Sequence, residues 1–213
     1  MSTETVTPVR RSRWAQITYI GRRAITMEIG IWQSLYRFIF RRPRVPAGAV
    51  GFSYHQQVWT ILMIFIGLSA FEIPILDLIV HQWPVVRIAF LALGIWGLTW
   101  MIGLALGFIT RPHAVGPEGI RVRSGAETDI PLPWDDVESV SLTRKTDEAK
   151  APRITVDDGR RTLWMRMQNE TNIEVVLERT VPVRLPSGPE NVDVVRFWVD
   201  DPKGFLAEVR KHI

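Results

Sequence analysis

Three hydropathy regimes follow one another along the chain. Trp14, Ile17, Gly21, Ala24, Glu28, Ile31, Leu35 and Phe38 recur at three- and four-residue steps, which predicts a helix with one mainly apolar face over residues 14–42. From Val58 the alternation stops. Residues 58–80 and 85–109 are nearly continuous apolar runs, each exceeding the ~20 residues needed to cross a hydrocarbon core of about 30 Å. Only HQWP separates them, so residues 58–109 read as a tight transmembrane hairpin. Beyond Arg111-Pro112 short runs of period two take over, as β-strands require.

In this last part GIRVRSG predicts a strand with Ile120 and Val122 on one face and Arg121 and Arg123 on the other. DIPLPWDDVESVSL reads as an extended segment bent by its prolines. RITVDDGRRTLWMRMQ predicts two strands about an Asp-Gly turn, the strongest hairpin signal in the chain. TNIEVVLERTVPVRL and NVDVVRFWVD follow as a long strand or bent pair and a final strand. The segment DPKGFLAEVRKHI predicts a terminal helix capped by Asp201, with Pro202 at its first position and Phe205, Leu206 and Val209 on its packing face.

Charge adds an orientation. Residues 1–57 hold nine Arg and two Glu, whereas residues 58–109 hold only Glu72, Asp77 and Arg87 as charged side chains. The loop HQWP has no Lys or Arg, while Arg111, Arg121 and Arg123 follow the second run. The positive-inside rule then expects both termini in the cytoplasm and the hairpin tip outside. The N-terminal 1–13 reads as a disordered tail, and 43–57, broken by Pro43 and Pro46, as a linker. The arginine-bearing helix between them suits an interfacial position on an anionic inner leaflet, with Trp32, Tyr36, Phe38 and Phe40 at headgroup depth. A third span over residues 24–40 is the structural alternative. Neither apolar run has the layout of a secretory signal peptide. Residues 110–213 carry 16 basic and 18 acidic side chains, so no nucleic-acid footprint is expected there.

About seven strands closed by one amphipathic helix describe an α+β membrane protein, with a bent β-sheet or half-barrel plugged at one end. In GIRVRSG, IPLPWDDVESVSL and FWVDDPKGFLAEVRKHI, residues 110–213 resemble the bacterial pleckstrin-homology-like domains, in layout more than in fingerprint. Many members of that group join such a domain to a short helical hairpin in the cytoplasmic membrane. The resemblance implies a binding module without chemistry or cofactor, a multi-pass protein of the bacterial inner membrane. It also implies an anion or lipid-headgroup contact at basic strand-loop-strand positions, here Arg121, Arg123, Arg144 and Lys145. The alternative at those positions is a solvated charged face. The long basic arm departs from the simplest members.

Catalytic signals are sparse. The absence of cysteine excludes disulfides, thiolate metal sites and cysteine nucleophiles. The four histidines, His55, His81, His113 and His212, form no HExxH or close pair, and no G-x-S-x-G elbow or P-loop occurs. His55 reads as an interfacial polar residue. Asp135-Asp136 and Asp157-Asp158 are neighbours in sequence only, since adjacent strand positions face opposite ways. Trp164, Met165 and Met167 read as core and surface alternation.

The hairpin's polar residues carry the functional weight, because an ionisable group within a membrane is costly unless paired or neutral. Asp77, His81 and Arg87 all lie within about 6 Å of the tip at 1.5 Å per residue, so an Asp77–Arg87 pair is expected to close the hairpin, with His81 beside it. Glu72 lies deeper, next to Pro74, which leaves the Ala70 carbonyl without its usual donor. Ser69 and the Trp96 indole could satisfy a protonated Glu72, with Gly94 and Gly97 permitting close helix approach. Alternatively Glu72 faces a partner protein or a second copy. The GxxxG pattern Gly103–Gly107 adds to that oligomer expectation. The leading expectation is a membrane-anchored binding or scaffolding protein. The alternative is a transporter or intramembrane enzyme subunit using Glu72 with Asp77, His81 and Arg87.

Overall fold

The computed structural model describes residues 4–5, 13–40, 44–125, 128–147, 153–186 and 188–213. Most of the 1–13 tail lies outside them. The elements run β1 (Glu4–Thr5), α1 (Arg13–Ile39), β2 (Val50–Phe52), α2 (Gln56–Ile79), α3 (Pro84–Thr110), β3 (His113–Gly116), β4 (Gly119–Ser124), β5 (Thr128–Leu132), a 3-10 turn (Trp134–Asp136), β6 (Val137–Thr146), β7 (Arg153–Asp157), β8 (Arg160–Met165), β9 (Glu170–Leu185), β10 (Gly188–Phe197) and α4 (Pro202–Val209).

The strands form two sheets around one core. The larger has the order β1-β7-β8-β10-β9-β6 and the smaller β2-β3-β4-β5. The expected Asp-Gly hairpin joins β7 to β8, with Asp158 and Gly159 at φ +49° and +78°. Positive φ at both central residues is what a right-twisted two-residue turn demands, and glycine accepts it without a Cβ penalty. Pairing is antiparallel throughout, except that β10 lies parallel to β8 while pairing antiparallel with β9. Register shifts occur between Val192 and Val194 and along β6 at Val137/Ser139 and Leu142/Lys145. Such bulges add a residue to one strand and bend it, which curls the larger sheet into a half-barrel.

Alternate residues face inward: Ile173, Val175 and Leu177 on β9, Ile120 and Val122 on β4, Ile130 and Leu132 on β5. α4 closes the remaining side. Asp201 Oδ1 accepts the Gly204 N–H at 3.0 Å, Pro202 stands in the first turn, and Phe205 and Val209 enter the core. Phe205 meets Phe52 and Phe197 edge to face, with ring centroids at 5.2 and 5.6 Å. Burying such a ring stabilises the fold by roughly 2–3 kcal/mol.

Two expectations about the strands need correction. The 43–57 segment is more than a linker, because Val50, Gly51 and Phe52 pair with Val115, Ala114 and His113 and so extend the smaller sheet. A three-residue strand is too short to show periodicity. DIPLPWDDVESVSL divides into β5 and β6 about the 3-10 turn at Trp134–Asp136. Here Trp134 Nε1 donates to the Gly116 carbonyl at 2.9 Å.

α2 and α3 form the hairpin, with mean hydropathies of 2.1 and 2.0; both are long and apolar enough to cross a membrane. Their lengths are about 36 and 40 Å. No residue of α2 is buried, and the buried residues of α3 (Gly103, Ala105, Leu106, Gly107 and Thr110) all lie in its last two turns. α1 packs on that end of α3. Gly30, Ile31 and Ser34 are buried there, and a Cβ on Gly103 would collide with Ile31 Cγ2 while one on Gly107 would touch Ser34 Oγ at 3.5 Å. The GxxxG groove expected to serve an oligomer is therefore occupied by the chain's own N-terminal helix. Ile31 to Ser34 follows Gly103 to Gly107 in the same sense, so the two helices run parallel at this contact. Trp32, Tyr36, Phe38 and Phe40 point away and are exposed.

Candidate functional site

The polar groups of the hairpin separate into a closed pair and an open carboxylate. Arg87 grips Asp77 with two hydrogen bonds, Nε to Oδ1 at 2.5 Å and an NH2 nitrogen to Oδ2 at 2.8 Å. This fork-to-fork geometry bridges α2 and α3 beside the turn. His81 does not complete it: its Nδ1 lies 2.7 Å from the Leu78 carbonyl. Backbone recapture at the helix end competes for the ring, a preference that i,i+4 spacing alone does not reveal.

Glu72 stands apart. It is exposed on α2, and no hydrogen bond or ion pair reaches it among the described residues. Ser69 turns instead to Met101, with Oγ 3.7 Å from Sδ, and Trp96 is exposed. The internal polar contact expected for Glu72 is thus not made. Of the two glycines, Gly94 is crossed closely by Ile73, whereas Gly97 has open space before it. Glu72, Ile73, Gly94 and Gly97 line a shallow groove of about 310 Å³ between the helices.

The second polar centre lies where the hairpin meets the β-domain, and sequence reasoning missed it. Residues on either side of the hairpin interlock here. The Asp200 N–H donates to the Ser53 carbonyl at 2.9 Å, and the Asp200 carboxylate accepts the Gln56 N–H at 3.2 and 3.3 Å, capping α2. Trp198 Nε1 donates to the same carboxylate at 3.0 Å. Tyr54 is buried against Phe108 and His113, and its hydroxyl accepts the Gly125 N–H at 2.9 Å. Burial pushes the Tyr54 phenol up to about 12.

His113, fully enclosed, joins β3 to two other segments. Its Nδ1 accepts the Arg123 N–H at 2.9 Å, so Nε2 carries the hydrogen and donates to the Trp198 carbonyl at 3.0 Å. Burial pushes its pKa down to about 3, and the bond to Trp198 opposes that fall only in part. The imidazole is a neutral structural bracket.

Arginines crowd the same junction. Arg123, only 2% exposed at its side chain, donates through NH1 to the carbonyls of Arg44 and Pro112, and its Nε lies 3.2 Å from Asp129. Arg121 Nε donates to Asp129 at 2.8 Å, and Arg44 stands 3.7 Å from it. Burial works against the Asp129 carboxylate, yet Arg121 and Arg123 hold it below the usual range. Arg123 is therefore committed internally and cannot meet a headgroup, and Arg121 shares its charge with Asp129. The alternation that set both on a solvent face missed α1's trailing segment covering that face.

Arg144 and Lys145 lie on β6 rather than in a loop. Arg144 donates to both oxygens of Glu170 at 2.8 Å, while Lys145 is exposed. No tetrad of free cations forms among the four candidates. Trp164, by contrast, is buried with its Nε1 on Thr155 Oγ1 at 2.8 Å and Arg196 stacked 4.7 Å over its ring. Compared with family models, curated proteins and solved structures, the chain matches none.

Proposed function

We propose that this chain is a membrane-anchored binding or scaffolding protein that presents a pleckstrin-homology-like domain on the cytoplasmic face of a bacterial inner membrane. One observation carries the reading: both feet of an outward-apolar hairpin are hydrogen-bonded into the same β-domain. Asp200 caps α2, and His113, three residues beyond α3, is locked to Arg123 and Trp198. A flexible tether would leave the domain free to reorient. The junction holds the half-barrel in one pose on the feet of the hairpin, which supports a reading in which the surface away from the hairpin meets a partner.

The orientation follows the basic arm and the arginines at the hairpin's feet, with the uncharged tip outside. The absence of cysteine makes the test clean. In Gln82→Cys and Ser141→Cys, a membrane-impermeant maleimide should label only the first from outside intact cells. Labelling of Ser141→Cys alone reverses the orientation, and release of the chain by alkaline carbonate removes the membrane reading.

Glu72 extends the proposal to a partner within the bilayer. An unpartnered carboxylate on an outward face gains most from a donor on another helix, which favours association with a second chain over a proton path through two helices. Quantitative pull-down of the tagged protein from membranes, compared with Glu72→Gln, tests this. Lost association supports the contact. Retained association with lost flux or turnover would move the assignment to the transporter or enzyme alternative.

A further inference from the structure

Arg111 ends α3 and is 4% exposed, so its guanidinium is taken almost wholly out of bulk water. Its one hydrogen bond among the described residues is a long one, an NH2 nitrogen to the Gly30 carbonyl at 3.4 Å. Its Nε is buried without a partner. No carboxylate of the described residues pairs with it.

The surroundings raise the cost. Gly30, Ser34 and Arg37 fall on one face of α1 at i, i+4 and i+7, the face that meets Gly107 and Arg111. Arg37 has no hydrogen bond or ion pair among the described residues. Arg44 follows, its N–H donating to the Thr110 carbonyl at 2.9 Å. Arg121 and Arg123 stand behind, and Asp129 is the one carboxylate among the described residues that touches the group. Burial lowers the Arg111 pKa, and Arg44, Arg37 and Arg123 lower it further. Of these five guanidiniums, Arg44, Arg121 and Arg123 share Asp129, and Arg111 is the buried one left without a counter-ion among the described residues; buried uncompensated charge is strongly unfavourable.

The position selects what compensates it. Through Gly30 and Ser34 the cluster adjoins a cleft of about 170 Å³ along the α1–α3 contact, lined also by Met27, Ile31, Trp100, Leu104 and Phe108. Guanidinium groups recognise phosphate bidentately and tolerate desolvation better than ammonium. We propose that Arg111, with Arg37 and Arg44, holds a phosphate group, supplied by an anionic phospholipid whose acyl chains lie along the α1–α3 cleft. The lipid source rests on the membrane placement argued above; the phosphate chemistry does not.

The test uses the full chain in a neutral detergent, with its nine tryptophans reporting thermal unfolding. Phosphatidylglycerol should raise the Tm in a saturable manner and phosphatidylcholine should not. Arg111→Gln and Arg37→Gln should each reduce the phosphatidylglycerol response at least tenfold in the concentration required. Arg37 makes no hydrogen bond or ion pair among the described residues, so Arg37→Gln keeps the test decisive even if Arg111→Gln folds poorly. An equal response to millimolar inorganic phosphate, lost in the same variants, would keep the phosphate site and overturn the lipid source. No selective response, or one unchanged in Arg37→Gln, would overturn the site. Alkaline carbonate extraction of the same membranes reports separately on insertion.

Discussion

The carboxylate of Asp200 sits on the backbone amide of Gln56, at 3.2 and 3.3 Å, across 144 residues of chain. α2 begins at that amide, and His55 at its N-cap position provides no side-chain bond. The last segment of the β-domain therefore supplies the cap that the helix lacks locally, and it fastens the hairpin to the domain. Loss of such a cap costs about 1–2 kcal/mol. Asp200→Ala should lower the chemical-denaturation stability of the detergent-solubilised protein by that amount. It should also increase hydrogen exchange at the first turn of α2, while the neighbouring cap at Asp201 stays protected.

Ile31 over Gly103 makes a second prediction. Any Cβ at residue 103 meets Ile31 Cγ2, whereas Gly97 faces open space. Gly103→Ala should destabilise the α1–α3 contact by roughly 1–3 kcal/mol through overpacking, and Gly97→Ala should be nearly neutral. Combining Gly103→Ala with Ile31→Ala should recover most of the loss. Limited proteolysis of α1 is the measurement, since undocking exposes its backbone.

These two relationships mark how far the sequence is legible. Strong local signals were readable: the two apolar runs, the Asp158-Gly159 turn, the Asp201-Pro202 helix start, and the Asp77–Arg87 bridge between positions ten apart. The junction was not, because its partners come from four distant stretches around residues 44, 54, 113 and 200. Arg123 shows the reason in one residue. Strand alternation places it opposite Val122, away from the core, and only the fold reveals Arg44 and Pro112 covering that side. Glu72 shows the converse, since its place on the first hairpin helix was legible and its lack of a partner among the described residues was not.

The Asp77–Arg87 bridge predicts a charge-order effect. Asp77→Ala should leave Arg87 unpaired near the tip and Arg87→Ala should leave Asp77 so, each reducing folded yield from membranes. The exchange Asp77→Arg with Arg87→Asp should restore yield above either single reversal, because the pair matters more than which helix carries which sign. Equal yields in all variants would mean that both side chains reach water independently.

His113 predicts a pH dependence whose sign is fixed by its burial. The fold holds the imidazole neutral with a pKa of about 3, against about 6.5 in the unfolded chain. Between those values the unfolded chain binds a proton that the folded one refuses, so stability falls as pH drops. The His113 contribution is fully present above about pH 6.5 and is lost progressively toward pH 3, on the order of a few kcal/mol. His113→Phe keeps the ring contacts to Tyr54 and Phe197 but strands the Arg123 N–H and the Trp198 carbonyl. At pH 7.5 it should be less stable than the natural chain by about 1–3 kcal/mol. As the medium is acidified its stability should decline less steeply, so the two denaturation curves converge. Parallel curves from pH 7.5 to pH 4 would show that His113 is not the group linking acid to the hairpin–domain junction.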